Sequence, residues 1–199
     1  SNFFSYQAHN IHTTSQERRT FGGTACFLAL RSTPRLAEHG QDPTGLGRWT
    51  WVKLTGRQGI VTRHAHHQRI PSCKRHKQST RNRLLTTRNF FYEQGRRRDP
   101  RQAFLDDLSR DIQNWIDSGE QIIVGMDANE FIYGDTISTW STALGSSLPT
   151  LHPSLPPVDT CDKSHRGRPI DGIWTTPGIQ ILQGGMTGFG EVLPDHSNQ

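Results

Sequence analysis

The chain has 199 residues, a length that suits a single domain, since domains usually run to about 100–200 residues. No stretch approaches the roughly 18 apolar residues of a membrane span, and the N-terminus lacks the basic and apolar regions of a signal peptide. Cys26, Cys73 and Cys161 are far apart and odd in number, which argues against a disulfide framework or a zinc site. We therefore expect an intracellular protein, nuclear or cytoplasmic, with no membrane association.

The net charge of +5 is concentrated in one stretch. Between Asp42 and Glu93 there is no acidic residue, while the same stretch holds eleven Lys and Arg. A basic patch of this kind is typical of nucleic-acid binding. A solvated or disordered basic segment has the same composition, so composition alone leaves both interpretations open.

The first half of the chain predicts three strands. An apolar run at residues 22–30 follows a glycine pair and predicts the first, and an aromatic and β-branched run at residues 48–54 predicts the second. Residues 41–47 between them have turn chemistry. After a predicted hairpin turn at residues 56–59, a third strand begins at residue 60.

Residues 63–89 show neither helical nor strand periodicity and are dense in Arg, His, Lys and Gln. Low hydrophobicity with high charge predicts a disordered basic insert here. His64, His66 and His67 lie in this segment and could bind a transition metal, but we attribute the cluster to composition alone.

Regular structure returns at Asp99. Asp99 as an N-cap followed by Pro100 predicts a helix over residues 100–118, with Phe104, Leu108 and Ile112 on its apolar face together with Trp115 and Ile116. An apolar strand at 121–126, a second helix from Asp135, and strands at 169–174 and 179–182 follow. This order predicts a layered α/β protein.

Three short stretches could carry chemistry. Asp127 and Asn129 follow the buried strand and, in extended chain, would point to one face, where a carboxylate beside an amide suits phosphate-ester hydrolysis. Asp171 lies in an apolar strand, where a histidine is its natural partner. Near the C-terminus, Asp195 could bind a divalent cation and His196 could transfer a proton or stabilise charge. Each stretch alone is also compatible with a turn or an exposed strand edge.

Together and in this order, the three stretches resemble the G-D-x-N, I-D-x-I and S-D-H motifs of the endonuclease/exonuclease/phosphatase family. The counterparts are residues 125–129, 170–173 and 194–196. Residues 45–51 and the helix from Asp99 are most similar to the retroelement-associated branch. The resemblance covers about residues 22–61 and 90–198.

The resemblance implies one α/β domain over residues 1–199, a four-layer sandwich of two β-sheets flanked by helices. It implies a monomeric, Mg²⁺- or Mn²⁺-dependent phosphodiester hydrolase, a DNA endonuclease of a non-LTR retroelement, fused to a reverse transcriptase in the parent element. Asp127 would orient or activate water, Asn129 would contact phosphate, Asp195 would bind the metal, and Asp171 would pair with His196, which would stabilise or protonate the transition state.

The sequence departs from the family pattern in several places. The family's Asn after a first strand and its metal-binding Glu after the next helix have no counterpart, since Asn10 and Glu17 lie in no strand–helix–strand context; we expect the chain to be N-terminally incomplete. Met126 and Pro194 replace the usual Gly and Ser. A phosphate-contacting Tyr is missing from the basic insert, which we hypothesise is read in a shifted frame.

We therefore expect little or no nuclease activity from the chain. Two alternative functions stay open: a non-enzymatic, basic nucleic-acid-binding remnant, and a small-molecule phosphatase of the same fold.

Overall fold

The computed structural model describes residues 3–12, 23–56, 61–68, 78–143 and 170–179, with the backbone alone described at 61–68, 78–84 and 143. They form two β-sheets and a layer of helices, and no helix in these ranges is long and apolar enough to cross a membrane. The elements are β1 (Phe3–His9), β2 (Gly23–Ala29), a 3-10 helix (Leu30–Arg35), β3 (Leu36–Gln41), β4 (Trp49–Thr55), β5 (Val61–Gln68), α1 (Gln78–Glu93), α2 (Pro100–Asp117), β6 (Gln121–Asp127), α3 (Asp135–Ala143) and β7 (Asp171–Thr175).

The smaller sheet consists of β1 and β2, paired antiparallel from Phe3↔Ala29 to His9↔Gly23. Alternate residues of β2 are buried, as expected of a strand with one covered face. Cys26 and Leu28 on that face form one apolar cluster with Val52 and Leu54 of β4. The two sheets therefore pack face to face.

The larger sheet has the strand order β3-β4-β5-β6-β7. All neighbouring strands are antiparallel except β5 and β6, which are parallel. A parallel pair needs a long crossover connection, and α1 and α2 lie within it. The carboxyl ends of β5 and β6 and the amino end of β7 consequently meet at one edge of the sheet.

The helices cover the other face of the larger sheet. Asp99 caps α2 by accepting hydrogen bonds from the backbone N–H groups of Arg101 and Gln102, both at 3.0 Å, which confirms the predicted helix start. Trp115 packs edge-on against Trp51 of β4, with ring centroids 5.9 Å apart. The predicted apolar face of α2 joins a single core with β4, β6, β7 and α3, formed by Trp49, Phe104, Leu105, Leu108, Ile112, Ile122, Val124, Met126, Ala128, Ile132, Ile137, Trp140 and Trp174.

The predicted disorder of residues 63–89 is wrong for most of the segment. Residues 61–68 form β5, the middle strand of the larger sheet, and residues 78–93 form α1. Strand formation depends on neighbours more than on composition, and β4 and β6 bond to both edges of β5. The segment therefore contributes a strand to the sheet, while the shifted reading frame stays a hypothesis. Residues 69–77, most of the predicted strand 179–182, and Asp195 and His196 lie outside the described residues.

A buried ion-pair network ties the larger sheet to α2. The Arg48 guanidinium, 1% exposed, donates to both carboxylate oxygens of Asp42 at 2.6 and 3.0 Å. It also donates to Asp107 of α2 at 3.0 Å and lies 4.6 Å from the centre of the Trp49 ring. Because Arg48 and Asp42 are both removed from water, each depends on the other for charge compensation.

Asp111 of α2 provides a first testable prediction. Burial raises the pKa of the Asp111 carboxyl above its ordinary value of 3.8, and the charge of Asp42 reinforces this effect. The folded state therefore holds this proton more tightly than the unfolded state, so the carboxylate lowers stability as the pH rises through the folded pKa. We expect Asp111→Asn to increase the urea midpoint at neutral pH and to lose this advantage as the pH falls towards 3.8. Asp117→Asn, an exposed change on the same helix, is the control; destabilisation by Asp111→Asn at neutral pH would contradict the assignment.

Gly47 provides a second prediction, because its backbone lies in the left-handed region with φ of +65°. A Cβ at this position would lie 2.6 Å from the carbonyl carbon of His9 and 2.9 Å from the backbone nitrogen of Asn10. We expect Gly47→Ala to lower the free energy of unfolding by about 2 kcal/mol or more, the sum of backbone strain and a clash with main chain. Gly95, with φ of +71° and no atom within 4 Å, is a matched control in which Ala should cost only about 1 kcal/mol. Equal losses in urea unfolding would show that β1 does not pack against this turn.

Candidate active site

Two carboxylates face each other where β6 ends and β7 begins. Asp127 is the last residue of β6, and its register partner is Asp171, the first residue of β7. The Ala128 N–H donates to the Ile170 carbonyl at 2.8 Å, which extends the pairing one step further. Directly opposed residues of antiparallel strands have Cβ atoms about 4.5–5.5 Å apart. Asp127 is partly buried and Asp171 exposed, so this pair lies at a solvent-accessible end of the two strands.

Asn129 is held near this pair by a tight turn. The Asp127 carboxylate accepts a hydrogen bond from the Asn129 backbone N–H at 3.0 Å, and Asn129 has φ of +48°. Asn tolerates this left-handed conformation better than most residues. The expectation that Asp127 and Asn129 share a face of extended chain is therefore wrong, because the strand ends at Asp127 and the chain turns. The turn nevertheless keeps Asp127 and Asn129 close, through the hydrogen bond between the Asn129 N–H and the Asp127 carboxylate.

The loop after this turn is anchored to two helices. Glu130 forms an ion pair with Arg101 of α2 at 2.9 Å and accepts a hydrogen bond from the Thr136 hydroxyl of α3 at 3.0 Å. These contacts give Glu130 a structural role in fixing the loop that follows Asp127. Tyr133, in the same loop, is 46% exposed and packs edge-on against Phe131.

Asn10 follows β1 directly and takes part in a turn. Its side-chain oxygen accepts a hydrogen bond from the His12 backbone N–H at 2.9 Å, and the residue is 2% exposed. The Ile11 N–H donates to the Gly45 carbonyl at 2.9 Å. These bonds join the end of β1 to the turn that precedes β4, at the same end of the larger sheet as Asp127.

The oxygen donors at this edge have the chemistry that Mg²⁺ prefers. Carboxylate and amide oxygens are hard ligands, and Mg²⁺ usually keeps several waters and needs only one or two protein carboxylates. Asp127, Asp171 and Asn129 supply such donors. Among the described residues, no group of three or more His, Cys, Asp and Glu side chains is arranged to hold a metal ion. The residues described thus fit part of a magnesium site.

The fold matches that of several solved structures. The catalytic domain of human Nocturnin aligns with a TM-score of 0.55 and 14% identity, covering 88% of this chain and 61% of that structure. The endonuclease domain of TRAS1, a telomere-specific non-LTR retrotransposon, aligns with a TM-score of 0.50 and 14% identity over 89% of this chain and 68% of that one. An endonuclease/exonuclease/phosphatase from Bacteroides vulgatus aligns with a TM-score of 0.50 and 13% identity over 88% and 65%. The chain thus spans about two thirds of the length of these structures.

No protein-family model matches the sequence, and no curated protein matches it significantly. At these low identities, the structural likeness concerns the arrangement of the backbone. The predicted α/β sandwich of two sheets is confirmed, and the chain has the fold of the endonuclease/exonuclease/phosphatase proteins.

Proposed function

We propose that this chain is a metal-dependent phosphodiester hydrolase that cleaves DNA and derives from the endonuclease of a non-LTR retroelement. The observation that carries the proposal is the register pairing of Asp127 with Asp171 at a sheet edge, next to the Asn129 turn. Hydrolysis of a phosphodiester needs carboxylates within reach of one phosphate, and this pairing brings them together.

Each residue has a proposed role. Asp127 orients or deprotonates the attacking water, and Asn129 donates an amide hydrogen bond to a phosphate oxygen. Asp171 fixes the tautomer of His196 and stabilises its imidazolium form. His196 then donates a hydrogen bond or a proton to the transferring phosphoryl group.

We propose Mg²⁺, or Mn²⁺ in its place, as the cofactor. Asp195 would hold the ion together with oxygen donors of the Asp127–Asp171 edge. When bound, the ion polarises the phosphate and stabilises the charge that develops on the leaving oxygen.

The proposal is tested by nicking of supercoiled plasmid by the full chain in Mg²⁺ and in EDTA. The expected rate is low, because the family's first-strand Asn and its metal-binding Glu have no match in the sequence, but nicks should require Mg²⁺. DNA binding without nicking at any Mg²⁺ concentration would favour a non-enzymatic nucleic-acid-binding protein. Release of phosphate from an inositol phosphate, with plasmid left intact, would instead favour a small-molecule phosphatase.

A further inference from the structure

A surface groove of about 540 Å³ lies where the chain passes from α1 into α2. It is separate from the Asp127–Asp171 edge and plays no part in the roles proposed above. We call it the arginine groove, and its lining residues are Arg88, Tyr92, Arg96, Arg97, Arg98, Asp99 and Pro100.

Most of the positive charge in the arginine groove is uncompensated. Arg88, Arg96 and Arg97 are exposed, and none of them belongs to an ion pair between described residues. Arg98 differs, since it pairs with Asp106 at 2.6 Å and with Asp107 at 3.2 Å. Asp99 is the one carboxylate among the lining residues, and its side chain bonds to backbone N–H groups at the start of α2. Three guanidinium groups are thus presented to solvent together, an arrangement that matches a polyanion.

An exposed aromatic ring lies among these arginines. Tyr92 is 63% exposed, whereas its neighbour Phe91 is buried. Aromatic rings beside a basic groove provide stacking surfaces for the unpaired bases of single strands. Paired bases in a duplex are already stacked on one another, so an exposed tyrosine gains little from duplex DNA.

The position of the groove connects it to the active-site end of the molecule. The Phe90 ring of α1 packs against His12, with centroids 4.6 Å apart, and the His12 N–H donates to Asn10. Asn10 lies at the turn that precedes β4, at the end of the larger sheet where Asp127 lies. The helix that lines the groove therefore contacts the same end of the larger sheet as the Asp127–Asp171 pair.

We propose that the arginine groove binds a single-stranded segment of nucleic acid, with phosphates on Arg88, Arg96 and Arg97 and one base stacked on Tyr92. The inference rests on the proposed function only in taking a nucleic acid as the ligand. Binding is measured without metal, so its failure can be told apart from a failure of cleavage.

The test is fluorescence anisotropy of a labelled oligothymidylate of about 15 nucleotides, with the full chain in EDTA, over a range of salt concentrations. The double variant Arg96→Ser/Arg97→Ser should bind at least about tenfold more weakly and reduce the slope of log K against log salt by about 1.4, near 0.7 for each phosphate contact. The control Arg31→Ser/Arg35→Ser removes the same charge from the opposite end of the larger sheet, where Arg35 bonds to the Thr55 carbonyl. It should leave the slope unchanged.

Tyr92→Ala tests the stacked base separately. It should weaken oligothymidylate binding by about tenfold without changing the salt slope, because it removes stacking and no charge. If Arg96→Ser/Arg97→Ser and the control Arg31→Ser/Arg35→Ser weaken oligothymidylate binding equally, the arginine groove is not the binding site. An equal effect of Tyr92→Ala on a duplex of the same length, or tighter binding of duplex than of single strand, would overturn the single-strand assignment.

Discussion

Changing Asp127 to asparagine is expected to lower Mg²⁺-dependent plasmid nicking by about 100-fold or more, the usual contribution of a positioned general base. Asparagine keeps the side-chain oxygen that accepts the Asn129 N–H bond, so the turn after β6 should survive the change. What is lost is the negative charge and its basicity. Initial rates of relaxed-circle formation, compared with the parent chain at several Mg²⁺ concentrations, measure the effect.

The matched control for this experiment is Asp117→Asn. Asp117 ends α2, next to the amino end of β6, and therefore lies at the opposite end of that strand from Asp127. The Asp117→Asn variant makes the same chemical change on an exposed carboxylate, and its nicking rate should equal that of the parent chain. Asp171→Asn should resemble Asp127→Asn, because it removes the proposed partner of His196. Parent-like nicking by both Asp127→Asn and Asp171→Asn would exclude this edge as the active site.

Changing Arg48 to methionine is expected to lower the free energy of unfolding by about 3–5 kcal/mol, since it leaves a buried carboxylate without its counter-ion. The Asp42 side chain is fully buried, and its 2.6 Å bond to the Arg48 Nε is shorter than the 3.0 Å bond from Arg48 to Asp107. Small domains are stable by only about 5–15 kcal/mol, so much of the protein should unfold at moderate urea. Urea unfolding followed by tryptophan fluorescence measures the loss, because Trp49 lies against the guanidinium.

Arg110→Met is the control for buried charge. Arg110 lies 3.5 Å from Asp107 but is 65% exposed, so its removal should cost less than about 1 kcal/mol. The double variant Arg48→Met/Asp42→Asn should recover part of the loss, because it removes both buried charges together. If Arg48→Met costs no more than Arg110→Met, the network contributes little to stability.

Local chemistry explains which elements could be predicted from the sequence. The start of α2 depends on Asp99 and Pro100, adjacent residues that define a helix end without help from the rest of the chain. The apolar run of β6 needs cover on both faces wherever it lies. By contrast, β1 and β3 contain many polar residues and were not predicted, because they are strands by virtue of pairing with β2 and β4.

The candidate site likewise has a part that local sequence patterns predict and a part that they do not. Asp127 and Asp171 could be picked out as candidate residues because each follows or begins an apolar strand. Their opposition across β6 and β7 depends on a pairing between distant parts of the chain, which no local pattern specifies. The link from Arg48 to Asp107 is likewise a contact between a strand and a helix that only the packed fold creates.

The parallel pairing of β5 with β6 has a consequence for synthesis of the chain. A ribosome releases β5 before α1, α2 and β6, so β5 is at first an edge strand with unpaired N–H and C=O groups. Such an edge can recruit a second chain, and basic residues along it discourage this aggregation. Arg63 supplies such a charge, and His64, His66 and His67 make the sequence of β5 polar. Such a polar sequence is unusual for the central strand of a complete sheet. It is suited to β5 during synthesis, when this strand is exposed until β6 pairs with it.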